Sequence, residues 1–197
     1  MQADMQELER CAWCAGDSLY LDYHDKEWGV PLFDDDRLFE FLLLEGAQAG
    51  LSWITVLRKR ENYRSAMDNF NAEKIASYGA RKKQQLLGDN GIIRNRLKID
   101  SAVKNANAFL DFRDREHSFA DFLWSFVNHK PVQNDFRQSN DVPATTEVSE
   151  RMSKSLKKLG FNFIGGTICY ALMQATGMVN DHLVSCYRWQ ECRDITT

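Results

Sequence analysis

The sequence predicts an all-α protein, and three observations carry that expectation. Apolar residues recur at helical spacing through most of the chain, strand-type alternation is nowhere sustained, and only 3 prolines occur in 197 residues. The length suits one domain with its own core, or two small lobes sharing a cleft. A hydrophobic fraction of 44%, with 12 Phe and 5 Trp, supplies the material for that core.

Taken in order, the first strong helix follows Asp34–Asp36, a natural N-cap cluster, and its apolar stripe is Leu38, Phe39, Leu42 and Leu43. Gly46 and Gly50 weaken it and set its end. Ser52 then caps a helix running through Trp53, Val56 and Leu57 to about Tyr63. Short helices are expected after Asn71 and at Ala80, and a long one from Asn95 through Ile99, Val103, Ala106 and Leu110. Phe119, Phe122, Leu123 and Phe126 mark another apolar face. The polar stretch Gln133–Pro143 reads as a loop or a hinge between lobes. Met152, Leu156 and Leu159 define a helix stopped by Gly160, and a last one spans Gly166–Thr176 before Gly177.

The opening residues are polar and charged, with no secretory apolar region ahead of the first cysteine. An apolar run such as Phe41–Leu44 is far too short to span a bilayer, so a soluble, cytoplasmic protein with no membrane partner is expected. A net charge of −3 does not advertise a nucleic-acid binder. Phosphates sense the local field, however, within about 8 Å in physiological salt. Positive charge is clustered at Arg58, Lys59, Arg60 and Arg64, at Arg81–Lys83, at Arg94, Arg96 and Lys98, and at Lys154, Lys157 and Lys158. Five cysteines with no export signal argue for metal ligation or buried thiols over a disulfide framework.

Three constellations carry possible chemistry. Cys11 and His24 near one end, and His182 and Cys186 near the other, read either as a Cys₂His₂ set, the closed tetrahedral donor set of a structural zinc, or as buried thiols with ordinary surface histidines. The i, i+4 spacing of His182 and Cys186 predicts both on one face of a helical turn. Cys14 leaves an alternative open, because Cys11-x-x-Cys14 is itself a metal knuckle or a redox pair, although the redox reading wants a βαβ context. Secondly, Gly88 and Gly91 form a G-x-x-G turn followed by Arg94, Arg96 and Lys98: either an ordinary helix–helix turn or a backbone cradle for phosphate at a helix N-terminus. Thirdly, Glu45 ends an apolar run among small residues, eight positions before Trp53, and lies either at a surface edge or inside a cleft with room for a flat ligand. Trp13, Tyr23 and Trp28 read equally as core aromatics or as cleft walls.

Taken together, RCAW (10–13), YHDKEWGVP (23–31), LLEGAQAGLSWITVLRKRENYR (43–64), GIIRNRLKI (91–99), DFLWSFVNHKP (121–131) and GFNFIGGTICYALMQATG through VNDH (160–182) resemble the type I 3-methyladenine DNA glycosylase family. The resemblance extends from Cys11 to Cys186 in the family's order. It implies a single helix-hairpin-helix glycosylase domain over 1–197, with two lobes, a cleft and the hairpin at about 87–98. It also implies one structural zinc on Cys11, His24, His182 and Cys186, tying segment 11–24 to segment 182–186. Glu45, Tyr23 and Trp53 fall on lesion-pocket positions, with Trp13 and Trp28 beside them, and Gly88, Gly91, Arg94, Arg96 and Lys98 on the DNA-contacting turn.

The implied activity is monofunctional. Such an enzyme extrudes the alkylated nucleotide from double-stranded DNA and hydrolyses its glycosidic bond, releasing free 3-methyladenine, and it acts as a monomer. Glu45 is then the residue expected to engage the base in the reaction. Two departures stand out: Ala47 where the family commonly has Gln, which would alter pocket hydrogen bonding, and Gly166 where Thr is frequent. The tail beyond Tyr187 matches little. A non-catalytic zinc-stabilised DNA-binding module, a zinc hydrolase or deaminase, and a CxxC oxidoreductase are the rival classes, and the chain lacks the H-x-E…P-C-x-x-C pattern a deaminase needs.

Overall fold

The computed structural model describes residues 8–116 and 118–195. These form eleven α-helices and a single two-residue strand pair. Helix α1 (Ser18–Lys26) is capped by Asp17, whose carboxylate accepts from the Leu19 and Tyr20 amides. Neither α1 nor the last helix stands out in the sequence pattern. Helix α2 (Asp35–Gln48) starts at Asp34, which accepts from the Arg37 amide, a cap worth about 1 kcal/mol. It is buried without interruption from Leu38 to Ala47 and is the axis of the core.

The helix expected over 53–63 is two helices, α3 (Trp53–Leu57) and α4 (Arg60–Ala66). The break at Arg58–Lys59 turns Tyr63 into the core, while Arg60 pairs with Glu27 and Arg64 with buried Glu40. A tertiary demand thus overrides local helical continuity. Next come α5 (Ala72–Ala76), α6 (Ala80–Gly88) and the 21-residue α7 (Arg96–Glu116). Phe109 of α7 stacks on Phe39 of α2 at 4.6 Å. Helix α8 (Phe119–Ser125) is held by Asp35, whose two oxygens accept from the Phe119 and Ala120 amides.

The polar stretch after α8 is not structureless. Strand β1 (Val132–Gln133) runs parallel to β2 (Val179–Asn180), in register Val132↔Val179. A short 3₁₀ turn follows at Ser139–Asp141. Helix α9 (Glu147–Lys158) opens on a reciprocal Thr146–Ser149 capping box and is closed by Gly160 at φ +95°. Helix α10 (Gly166–Ala175) packs on α9 and α2, and Gly177 ends it at φ +70°. A Cβ on Gly177 would lie 2.4 Å from the Val30–Pro31 backbone, so this close approach admits only glycine. Helix α11 (Tyr187–Arg193) completes the chain. Buried apolar residues from α1 to β2 make one continuous core, and no helix among the described residues is long and apolar enough to cross a membrane.

Candidate active site and metal centre

Cys11, His24, His182 and Cys186 converge, each fully buried, with ligand atoms all within 4.8 Å of one another. Three of the separations are Cys11 Sγ to His182 Nδ1 at 3.7 Å, Cys186 Sγ to His182 Nδ1 at 3.6 Å, and Cys186 Sγ to His24 Nε2 at 3.4 Å. Zinc–sulfur and zinc–nitrogen bonds of ordinary length, set tetrahedrally, give S···N edges of roughly 3.6 Å, so the four groups fit a metal of that kind. The sequence-based expectation that His182 and Cys186 share a helical face is corrected. They lie in a turn, where the Cys186 amide bonds the Leu183 carbonyl, and Cys186 only precedes α11. The parallel strand pair ends just before His182 and aims the turn at Cys11.

The outer nitrogens of both imidazoles are also engaged. His24 Nδ1 meets Asp25 at 2.7 Å, and His182 Nε2 meets the Trp28 carbonyl at 3.1 Å, which fixes both rings and presents the inner nitrogens. Arg10 clamps Asp25 in turn; burial pushes that carboxyl up, but the Arg10 and His24 hydrogen bonds outweigh it and hold it at about 2. The Cys186 thiol is pulled down by its hydrogen bond with Cys11 and then by the histidines, the direction that favours a metal-binding thiolate. Cys14 stands outside the set, its thiol donating to the Cys11 carbonyl at 3.0 Å, which sets aside the knuckle alternative.

Beside this cluster lies a cavity of about 420 Å³. Trp13, Tyr23, Trp28 and Trp53 line it, so the four aromatic candidates do come together, and Glu45 is among them. Tyr23 and Trp53 are 5.4 Å apart, and Trp13 meets Trp28 edge-on at 5.0 Å. Glu45 is 2% exposed, which decides between surface edge and cleft in favour of the cleft. Its Oε2 is buried with no hydrogen-bond partner, as is Trp53 Nε1. Burial alone pushes the Glu45 carboxyl up to about 8, and burial followed by the Glu45 charge keeps Tyr23 a neutral phenol.

Sequence reasoning missed Tyr20, Gln48, Tyr170, Gln174 and Asp181, which also line the cavity. Tyr170 and Gln174 stand at i, i+4 on α10 and both donate to Asp181 Oδ2, at 2.6 and 2.8 Å. A polar pair at that spacing inside an apolar helix was the available signal. Ser139 and Val142–Ala144 close one side from the segment read as a hinge. Ala47, by contrast, does not line this cavity; the neighbouring Gln48 does, so the expected effect of Ala47 on pocket hydrogen bonding is not found. At Gly166 a Cβ would meet the Glu150 carboxylate.

The G-x-x-G segment joins α6 to α7. Gly88 is the last residue of α6, and the Gly91 amide donates to Asp89 at 2.7 Å. Arg94 and Arg96 are exposed beside it. Lys98 is not: its ammonium turns inward and donates to the Ala47 and Ala49 carbonyls, both at 2.7 Å.

The described residues thus make a helical protein with an aromatic cavity around a buried carboxyl group whose Oε2 has no hydrogen-bond partner. The chain belongs to the methyladenine glycosylase family, whose model matches residues 13–189. It is 54% identical over 177 residues to a DNA-3-methyladenine glycosylase of Haemophilus influenzae, covering 90% of this chain and 96% of that one. A crystal structure of 3-methyladenine DNA glycosylase I superimposes with a TM-score of 0.90 at 49% identity, covering 91% of this chain and 98% of that one. A point variant of 3-methyladenine DNA glycosylase I in complex with 3-methyladenine matches with a TM-score of 0.87 at 36% identity, covering 90% and 96%.

Proposed function

We propose that this chain removes 3-methyladenine from alkylated double-stranded DNA as a monomeric, cytoplasmic, monofunctional glycosylase of helix-hairpin-helix type, with the cavity as its cleft. The observation that carries the reading is Glu45, a carboxylate buried without a partner inside an aromatic box. Such a group costs the empty protein roughly 1–3 kcal/mol unless something arrives to satisfy it.

A base stacked in a duplex is out of reach, so the nucleotide is extruded into the cavity. Methylation at N3 makes the adenine cationic, which weakens its glycosidic bond and lets the base leave neutral, so no strong general acid is needed. A cationic ring gains roughly 0.5–2 kcal/mol on each aromatic face, supplied by Trp53 with Tyr23, Trp13 and Trp28 around it. Glu45 accepts from the exocyclic amine, a charged hydrogen bond worth about 1.5–3 kcal/mol. Arrival of the cation also favours the ionised carboxylate, so uptake draws the proton off Glu45 when the pH is below about 8. Unmodified adenine offers no positive charge to either contact and is passed over. Water then completes hydrolysis at the sugar carbon. Cys11, His24, His182 and Cys186 would hold a zinc, which would cross-link the chain ends and, with four protein ligands, would supply no chemistry to the reaction. Arg94 and Arg96, exposed beside the turn, grip the phosphate backbone without reading sequence, while Gly88 and Gly91 shape the turn, the Gly91 amide being taken by Asp89.

The test is release of base from methylated duplex DNA, with undamaged adenine and hypoxanthine as controls. Wild type is expected to release 3-methyladenine selectively. Glu45→Gln is expected to lower single-turnover release by about ten- to a hundred-fold without abolishing it. Binding without release, or comparable release of the neutral bases, would refute the reading.

A further inference from the structure

Lys98 sits in the first turn of α7, two residues after exposed Arg96 and directly behind the basic turn. A free cation there would belong with the phosphate-facing charges, and it would also be poorly placed, because a helix N-terminus disfavours positive charge. The side chain instead crosses to α2. Its two 2.7 Å hydrogen bonds go to the Ala47 and Ala49 carbonyls, at the end of α2 where helix carbonyls lack in-helix donors. Partial burial lowers the ammonium's affinity for its proton. A lysine at the C-terminus of one helix satisfies that helix's dipole while its own backbone begins another.

What it holds is the segment that makes the cavity. Glu45 and Gln48 line the cavity from the last turns of α2. Immediately after Ala49 come Gly50 at φ +78°, exposed Leu51, Ser52 and then Trp53. The turn has few bonds of its own, among them the Ala49 amide to the Gly46 carbonyl and the Leu51 amide to the Gln48 carbonyl. We propose that Lys98 is a positioning residue that couples the basic α6–α7 turn to the base cavity, its ammonium clamping the end of α2 and thereby setting where Glu45 and Trp53 stand when DNA engages the turn. This inference rests on the reading of the cavity as the site of base release.

The experiment compares metal-containing wild type with Lys98→Met, Lys98→Arg and Arg96→Ala. It reads the salt dependence of binding to methylated duplex, single-turnover release at saturating DNA, tryptophan quenching by free 3-methyladenine, and melting temperature. Lys98→Met is expected to keep the wild-type salt slope while release falls about tenfold or more and free-base affinity weakens, because a small displacement of positioned groups is costly. Lys98→Arg, longer and planar, restores only part of both. Arg96→Ala provides the contrast, with a slope shallower by about 0.9, one phosphate contact. A Lys98→Met slope shallower by about 0.9 with saturating release unchanged makes Lys98 a phosphate contact and overturns the inference. A lower melting temperature with slope, release and base affinity all at wild-type values makes it a helix cap and also overturns it. If Lys98→Met does not fold, Lys98→Arg carries the test: depressed release at unchanged slope supports the clamp, and wild-type values throughout refute it. Wild type that releases no base sinks the cavity reading itself, an outcome distinct from either of these.

Discussion

The Cys–His cluster and the aromatic cavity share a wall and follow opposite rules. Trp28 lines the cavity on one side, and on the other its carbonyl holds His182 and its ring meets that imidazole at 4.6 Å. On the cluster side the polar atoms are spoken for, as the imidazoles are held at their outer nitrogens and Asp25 is clamped by Arg10. On the cavity side Glu45 Oε2 and Trp53 Nε1 are buried with nothing to bond. One region is completed by the chain's own groups, which converge in a set that fits a cation. The other is left polar-deficient at a cost to stability, which is what a receptor for an external ring requires. Changes on the two sides should therefore move different observables.

The largest effect is expected at the cluster. Cys11→Ala should remove one of four ligands, lower bound zinc well below one per chain, and cost several kcal/mol, a large share of the 5–15 kcal/mol typical of a domain. Elemental analysis with a melting curve checks this; a variant with full zinc and wild-type stability breaks the comparison.

Next in size is a stability effect of opposite sign in the cavity. The folded protein keeps the Glu45 proton up to about 8, whereas the ordinary value is 4.5. Between those limits the native state binds more protons than the unfolded chain, so stability falls as pH rises. The penalty is absent below about 4.5, grows through the window and levels off above about 8, on the order of a few kcal/mol. Glu45→Gln should abolish it. The variant's melting temperature should match wild type near about pH 5 and exceed it increasingly up to about pH 8, even as base release declines. Parallel melting curves across that range would show that Glu45 is not desolvated as described.

The smallest effect sharpens the boundary between the two regions. Asp25→Asn leaves all four ligands but weakens the support of His24, and should reduce metal affinity about ten- to a hundred-fold. With metal saturating, release of base should stay near wild type. A loss of release equal to that of a cavity variant would mean that the wall does not separate the two functions.

The parts of this architecture that were legible in the sequence are those fixed by local chemistry. Asp34 and Gly160 mark true helix ends, and the α2 stripe of Leu38, Phe39, Leu42 and Leu43 is buried. On α7, by contrast, only Ile99 and Ala106 are buried with Val103 and Leu110 half-buried, and Leu159 just past α9 is exposed. What failed was set by distant partners. The break before Arg60 answers to Glu27 and Glu40, the His182–Cys186 turn answers to the strand pair with 132–133, and Lys98 answers to carbonyls some fifty residues away. The site followed the same division. Glu45, the aromatic walls and the four ligands could be named from residue type together with the family resemblance. Asp181 and the lining from 139–144 could not, because aperiodic segments carry no signal of what they face, and Tyr20 could not because α1 has no clear apolar stripe in the sequence.

The cluster also changes how the chain behaves as a polymer. Cys11 and His182 lie 171 positions apart in sequence, and His24 and Cys186 lie 162 apart, so a cation gripping all four closes nearly the whole chain into one loop. A cross-link over that span removes about 5 kcal/mol of conformational entropy from the unfolded ensemble, as a disulfide closing a loop of that length does. Chain ends are ordinarily where a fold frays first. Here the amides of Leu183 and Cys186, bonded to Cys11 Sγ and the Leu183 carbonyl, should exchange with solvent as slowly as those of α2, so parting the segment at Cys11 from that at His182 requires opening of the whole molecule.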